Sequence, residues 1–483
     1  MIKKQSRTYR KFERLATVVV GAFVLASCAE DGFDEESFVS GGGVTNTKLT
    51  TPSADSITVE ASTDGSKQII SWPLVYGAGS YHAVLTNTDN GEVLADTVID
   101  GIEFAASRED ETNYSVSLQV LGNTSLNNSN GEEVTKTYNT FAPSYTTIPS
   151  GADLNTYFAE NPIPDDSLGK EMIFDLEGGG NYTVSDFLDF GDQTVTLRST
   201  QKNNKPTVTY TAASSTIGSN GGLVLKYLAI DAAGTENGLM RTSATISDSL
   251  TAGKLGNYYD LENIYAINTC DVTNLRGYIY DDNSQSYLTR YFTIYNSVIQ
   301  TATEKMGSAS SAPTLINCKG FIEYLTINMS TIYNTSSTNA SYFVRYQGRP
   351  KDITSYDATA VQSITITNST LYNLAKGTNF ANYRQSGQAT NVFVVTDLIE
   401  VDCGKKGQFV RRLVGGQANA SDSRTFSNNT YWYEGAASDE SGYDKTGTIL
   451  TTDPGFADAA NGDFTVSGAD QIANQTGDPR WLK

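Results

Sequence analysis

Three arginines recur at nearly fixed distances behind an asparagine or aspartate. Arg345 follows Asn334 by 11 residues, Arg384 follows Asn373 by 11, and Arg411 follows Asp402 by 9. Two of them close near-identical tripeptides, Phe343-Val344-Arg345 and Phe409-Val410-Arg411, and the third closes Asn382-Tyr383-Arg384. Arg412, Lys405 and Lys406 stand nearby, and Tyr346 and Tyr383 adjoin two of the arginines. A guanidinium grips a carboxylate through two parallel hydrogen bonds, and a tyrosine ring offers an apolar face on which a sugar can pack. The set predicts a binding face for an acidic glycan, provided that the fold brings the arginines together. Stacked like charges repel, so the stripe requires either Asp/Glu partners within the chain or a polyanionic ligand.

Other chemistry is thinly represented. The chain has one histidine, His82, so a His-rich zinc site or a Ser-His-Asp triad in the long C-terminal region is excluded by count. Asp281-Asp282 is an acidic pair, read here as a solvated turn, and no Asp cluster of calcium-loop type is apparent. A net charge of −20 argues against a nucleic-acid binder and leaves room for a local basic patch that meets an acidic ligand. Abundant Gly, Ser, Thr and Asn, with few helix-type runs, predict an all-β chain of short strands and turns.

The elements that must position the arginines come from an internal repeat. Six nine-residue segments, beginning at Ala266, Thr293, Thr326, Thr365, Val394 and Thr425, align at intervals of 27, 33, 39, 29 and 31 residues. Their second position reads Ile267, Ile294, Ile327, Ile366, Val395, Phe426. The seventh reads Val272, Ile299, Ile332, Leu371, Glu400, Tyr431, with Ile399 the better apolar match beside Glu400. Each unit is a strand, a turn and a strand, too small to bury its own apolar face, so stacking must supply the core. Equal positions then lie about 4.8 Å apart. Asn296, Asn368 and Asn428 share one position, with Asp397 near it and Met329 interrupting it, as suits a tight left-handed turn whose amide bonds the neighbour above. The segment from Gly151 to Glu160 is read as a short amphipathic helix covering the open end of the stack.

Residues 48–145 alternate in short strands around Trp72 and Tyr114 and resemble a fibronectin type III or related immunoglobulin-like sandwich. His82 is read as a satisfied sandwich histidine. Residues 1–27 carry six basic residues and an apolar run ending in Leu25-Ala26-Ser27-Cys28, which resembles the lipobox of bacterial lipoproteins. That resemblance implies lipidation at Cys28 and outer-membrane anchoring, facing the exterior. Residues 28–47 are an acidic, glycine-rich tether. Cys270, Cys318 and Cys403 are read as small buried hydrophobes rather than a disulfide framework.

Residues 146–483, from the repeat to the endings Asp453-Pro454-Gly455-Phe456, Asn461-Gly462-Asp463-Phe464 and Gly477-Asp478-Pro479-Arg480-Trp481, resemble the pectate-lyase-like right-handed parallel β-helix. They look similar to the β-helix lipoproteins of uncharacterised function encoded with polysaccharide-utilisation systems, and the ending is expected to form a last coil and cap. The hydrolases of this fold use paired carboxylates, and the polygalacturonase pattern is missing: Asn87-Thr88-Asp89 falls in the sandwich and no histidine lies in the repeat. Arg349-Pro350-Lys351 resembles an arginine-containing lyase motif only over three residues. The expected function is therefore capture of acidic, pectin-like, uronic-acid-containing polysaccharide without catalysis, with presentation to partner enzymes and a glycan transporter. No cofactor is expected. The alternatives are a polysaccharide lyase using Arg345 or Arg384 as base or clamp, which would call for calcium or another cationic group at the uronate, and a structural adhesin.

Overall fold

A computed structural model describes residues 44–282, 285–306, 308–383, 391–414 and 423–483. The leader, most of the tether with Cys28, and Arg384 lie outside the described residues.

The first unit is a two-sheet sandwich. Strands Thr58–Ala61, Lys67–Ser71 and Glu103–Ser107 form one antiparallel sheet; Glu92–Ile99, Ala78–Asn87, Asn113–Gly122 and Val134–Asn139 form the other in that spatial order. Strict alternation in Ala78–Asn87 and Asn113–Gly122 turns Tyr81, Ala83, Leu85, Tyr114, Val116, Leu118 and Val120 into the core. Trp72 is buried there, and the Tyr114 hydroxyl accepts the Glu109 backbone N–H at 2.9 Å, pinning the corner between strands. His82 bonds Asp96 at 2.8 Å.

From Thr146–Ile148 onward the chain coils. Three parallel sheets of ten, ten and seven strands line the described coils, the second ending in one short antiparallel strand. Successive coils contribute successive strands to these sheets, and parallel sheet neighbours are one coil apart. The repeat alignment holds residue for residue. Ile267, Ile294, Ile327, Ile366, Val395 and Phe426 are consecutive partners in the first sheet. Val272, Ile299, Ile332, Leu371, Glu400 and Tyr431 are consecutive partners in the second. Glu400 therefore occupies a core position, whereas Ile399 faces outward under Val466.

The corner between first and second sheets explains the asparagines. Tyr227, Thr269, Asn296, Met329, Asn368, Asp397 and Asn428 all have φ between 45° and 58°. Only a few L-residues tolerate this region cheaply, asparagine among them. The side-chain ladder expected of the asparagines is only partial: Asn296 donates to Thr269 Oγ1 and Asn428 to Asp397 Oδ1, both at 3.2 Å. The continuous ladder sits one residue later and inside. The Cys270 N–H donates to Ser297 Oγ, the Ser297 N–H to Ser330 Oγ and the Ser330 N–H to Ser369 Oγ, at 3.0–3.2 Å.

The helix Leu154–Glu160 is capped by Asp153, which accepts the Thr156 N–H at 3.0 Å, and it buries Leu154 and Phe158 over the first coils. The opposite end is closed by the helix Phe409–Leu413 and by residues 438–450: Glu440 accepts the Val410 N–H and Asp444 the Tyr431 hydroxyl. The C-terminal residues, expected as a cap, instead turn back along the outer face of the second sheet. Asp478 bonds Thr331 and Thr370, the Trp481 indole N–H donates to Thr331, and Arg480 reaches Asn296. The outward threonines of that sheet offer a row of hydroxyls, which is why a polar tail can lie there.

Candidate functional site

Third-sheet strands are two or three residues long, so a single outward residue per coil defines its solvent face. In Ile316–Cys318, Val344–Tyr346 and Ala381–Tyr383 the outer residues point inward and are buried, and the middle ones, Asn317, Arg345 and Asn382, point out. Register extends this row over successive coils as Arg241, Asp281, Asn317, Arg345 and Asn382. A second row runs beside it, because Tyr278, Thr314, Tyr342 and Asn379 precede the stacked Ile279, Leu315, Phe343 and Phe380. Between the rows lies an open groove of about 640 Å³, lined by Tyr278, Asn317, Tyr342, Arg345, Asn379 and Lys405 among others.

The charges along the outward row are segregated. At one end Asp281 faces Arg241 at 3.9 Å and accepts the Asn317 side-chain N–H at 2.9 Å. The Arg241 guanidinium also lies over the Phe187 ring, 5.2 Å from its centroid. Further along, Arg345 and Lys405 form no salt bridge with any described residue. The Asn379 side-chain oxygen is shielded from solvent and, among the described residues, no donor reaches it. Burial raises the Tyr278 hydroxyl above its usual range, helped by Asp281 and opposed by Arg241 and Arg345, so it is a neutral donor here.

The arginine stripe is dispersed. Arg345 stands opposite Asn317 and Asn382, with no arginine on either side of it, and Arg384 lies outside the described residues. Arg411 and Arg412 sit on the helix Phe409–Leu413, which replaces the third-sheet strand of its coil, and both reach Gln408, at 3.5 and 2.8 Å. Burial, then the neighbouring Arg411 charge, lowers Arg412 from the usual guanidinium range. Tyr346 and Tyr383 are core residues, ring to ring at 5.6 Å, and cannot meet a sugar. The misreading has a simple cause: in a three-residue strand, one position of error exchanges the two faces. Lys405, noted only for its proximity, is the cation that joins Arg345. Asn317, Asn379, Tyr278 and Tyr342 were missed; the signal for them was their spacing, one coil length from residue to residue.

The acidic pair is divided between roles. Asp282 is fully buried and accepts the Gly320 N–H at 2.9 Å, while Asp281 lies on the outward row between Arg241 and Asn317. On the first sheet Arg290 is held by three carboxylates, Asp260 at 3.0 Å, Asp357 at 3.1 Å and Glu323 at 2.5 Å, each from a different turn of the chain. This knot is internally satisfied and ties the coils together. The three cysteines are free and buried. Among the described residues no group of three His, Cys, Asp or Glu is arranged to hold a metal ion.

Three family models, each described as a domain of unknown function, match residues 3–179, 180–335 and 325–481; the last two are DUF4957 and DUF5123. No curated protein matches the chain. Among solved structures, the chain is similar to the PL6 family alginate lyase AlyGC, with 15% identity and a TM-score of 0.32 over 65% of this chain and 41% of that one. The chain thus spans about two fifths of that enzyme's length. It is also similar to pectate lyase PelI from Erwinia chrysanthemi, solved in complex with tetragalacturonic acid, with 10% identity and a TM-score of 0.25 over 84% and 97% of the two chains. A third likeness is to pectate lyase Pel3 from Pectobacterium carotovorum, with 11% identity and a TM-score of 0.21 over 84% and 97%.

Proposed function

We propose that this chain is a surface-displayed lipoprotein that captures acidic, uronic-acid-containing polysaccharide in the third-sheet groove and does not cleave it. One observation carries the reading: on a chain of net charge −20, Arg345 and Lys405 share one open groove without an acidic partner among the described residues. A surplus of carboxylates could neutralise every cation; two left unpaired in a concave, amide-lined site favour an anion from outside. Tyrosines and asparagines beside them supply the stacking surface and the neutral hydrogen bonds that a sugar requires. Lipidation at Cys28 would hold the chain on the outer membrane, with the acidic tether and the sandwich lifting the β-helix outward. Partner enzymes and a transporter would take the glycan from it.

Affinity electrophoresis through gels containing uronic-acid polysaccharide tests the reading. Arg345→Ala and Lys405→Ala should each weaken retardation about tenfold, the effect of removing one charge-assisted contact of about 1.5 kcal/mol. Retardation unchanged in both variants would defeat it. Absorbance from unsaturated uronide ends should stay flat on prolonged incubation; a sustained rise would instead make Arg345 part of a lyase centre. Replacing Cys28 by Ala should move the protein from the membrane fraction to the soluble one.

A further inference from the structure

We infer that the groove selects a glycan in which acidic and neutral sugars alternate, laid parallel to the β-helix axis with one sugar per coil. The inference rests on the acidic-glycan reading of the groove and specifies its ligand.

Counting coils along the face gives the pattern. Asp281, Asn317, Arg345 and Asn382 occupy four successive coils. Lys405 belongs to the next, because its neighbour Gly404 donates its N–H to Leu374 and accepts that of Gly377, both on the Asn382 coil. Cations therefore stand on every second coil, Arg345 and Lys405, and asparagines stand on the coils before and between them. Coils rise by about 4.8 Å, close to the length of one pyranose in an extended glycan, so a chain along the axis places successive sugars over successive coils.

The amide coils offer a carboxylate no cation. Asn317 donates one side-chain N–H to Asp281, at 2.9 Å, and is held beside the groove as a neutral amide. Asn379, on the Asn382 coil, presents a shielded oxygen that no described donor satisfies. Both can bond a hydroxyl or an N-acetyl group, and neither brings the positive charge that a buried carboxylate requires. The Asp281 carboxylate closes the far end against another acidic sugar. The face therefore reads neutral, acidic, neutral, acidic across the coils of Asn317, Arg345, Asn382 and Lys405. A uniform polyuronate would set charged groups over both amide coils.

The full chain can be tested with four polymers in affinity electrophoresis. Hyaluronan and unsulfated chondroitin alternate a uronate with an N-acetylhexosamine; polygalacturonate and alginate carry a carboxylate on every sugar. At least one alternating polymer should retard the protein at a concentration tenfold or more below either uniform one. Asn317→Lys should narrow that gap by strengthening retention on the uniform polymers severalfold, without improving retention on the alternating pair. Uniform polyuronates that bind as tightly as, or more tightly than, both alternating polymers would overturn the alternation and leave capture of acidic glycan standing. No retardation by any of the four would overturn capture itself.

Discussion

Glu400 and Glu440 place carboxyl groups where a β-helix keeps its core, and their behaviour with pH follows from that. Both are about 1% exposed. Burial pushes the Glu440 carboxyl up to about 8, opposed by the backbone N–H groups of Val410 and Arg411 and reinforced by Asp439 and Asp444. Burial likewise drives Glu400 well above the usual carboxylate range, with the N–H of Cys403 opposing and Glu440 adding to the rise. Between the ordinary glutamate value of 4.5 and about 8, the folded chain holds a proton at Glu440 that the unfolded chain has lost. Stability from this site is therefore complete below that window and declines as pH rises through it. The thermal midpoint should fall from about pH 5 to about pH 8, and Glu440→Gln should remove most of that slope in a scan of unfolding against pH. An unchanged slope would mean that the proton is held elsewhere, with Glu400 the neighbouring candidate. Glu400 also shows what a sequence can and cannot reveal. Strict register put it in the core, yet its charge made Ile399 look like the better match; a carboxyl that stays protonated leaves no trace in hydropathy.

At the scale of the element, the corner between the first two sheets tells most about the stacking. The period, the register and the left-handed asparagines were legible, because each coil repeats one apolar position and one turn position. The serine ladder was not, since Ser297, Ser330 and Ser369 look like any polar turn residue until their neighbours along the axis are known. Removing Ser330 Oγ strands the buried Ser297 N–H, at a cost of about 1–3 kcal/mol. Ser330→Ala should therefore lower stability by that amount in denaturant unfolding. Met329 offers the converse experiment. Its φ of 50° strains a long side chain where the adjacent coils carry Asn296 and Asn368. Met329→Asn should stabilise the chain by up to about 1 kcal/mol, and a destabilised variant would show that the methionine side chain contributes packing that outweighs the strain. Third-sheet strands were the least legible elements: two or three residues give no alternation to read, and the arginine offsets were counted from the wrong sheet.

At the scale of the whole molecule, a sandwich followed by a β-helix was legible, but their junction was not. Glu111, at φ 50°, reaches from the sandwich to Lys226 at 2.5 Å and to the Tyr227 hydroxyl at 2.6 Å on the β-helix, with Arg198 at 3.8 Å. Burial raises its carboxyl, but the hydrogen bonds from Lys226 and Tyr227 outweigh it and leave the group below its usual range. Arg198 is 2% exposed, pairs with Asp175 at 2.7 Å and lies over the Phe141 ring of the connecting segment. No local pattern announces such a knot, because Glu111 and Tyr227 sit 116 residues apart. Glu111→Ala leaves two cations short of their partner and should cost about 2 kcal/mol or more. Calorimetry should then resolve two unfolding steps where the unaltered chain shows one.

The returning C-terminal segment acts as a latch. Residues 477–480 touch Asp397, Thr370, Thr331 and Asn296, one on each of four consecutive coils, although all four coils precede them in the chain. A polypeptide that emerges vectorially can thus lay down its coils one by one, but the four stay unfastened until these residues have cleared. Coil growth and coil locking are separate events in time, and the second half of the solenoid gains its resistance to peeling in a single late step.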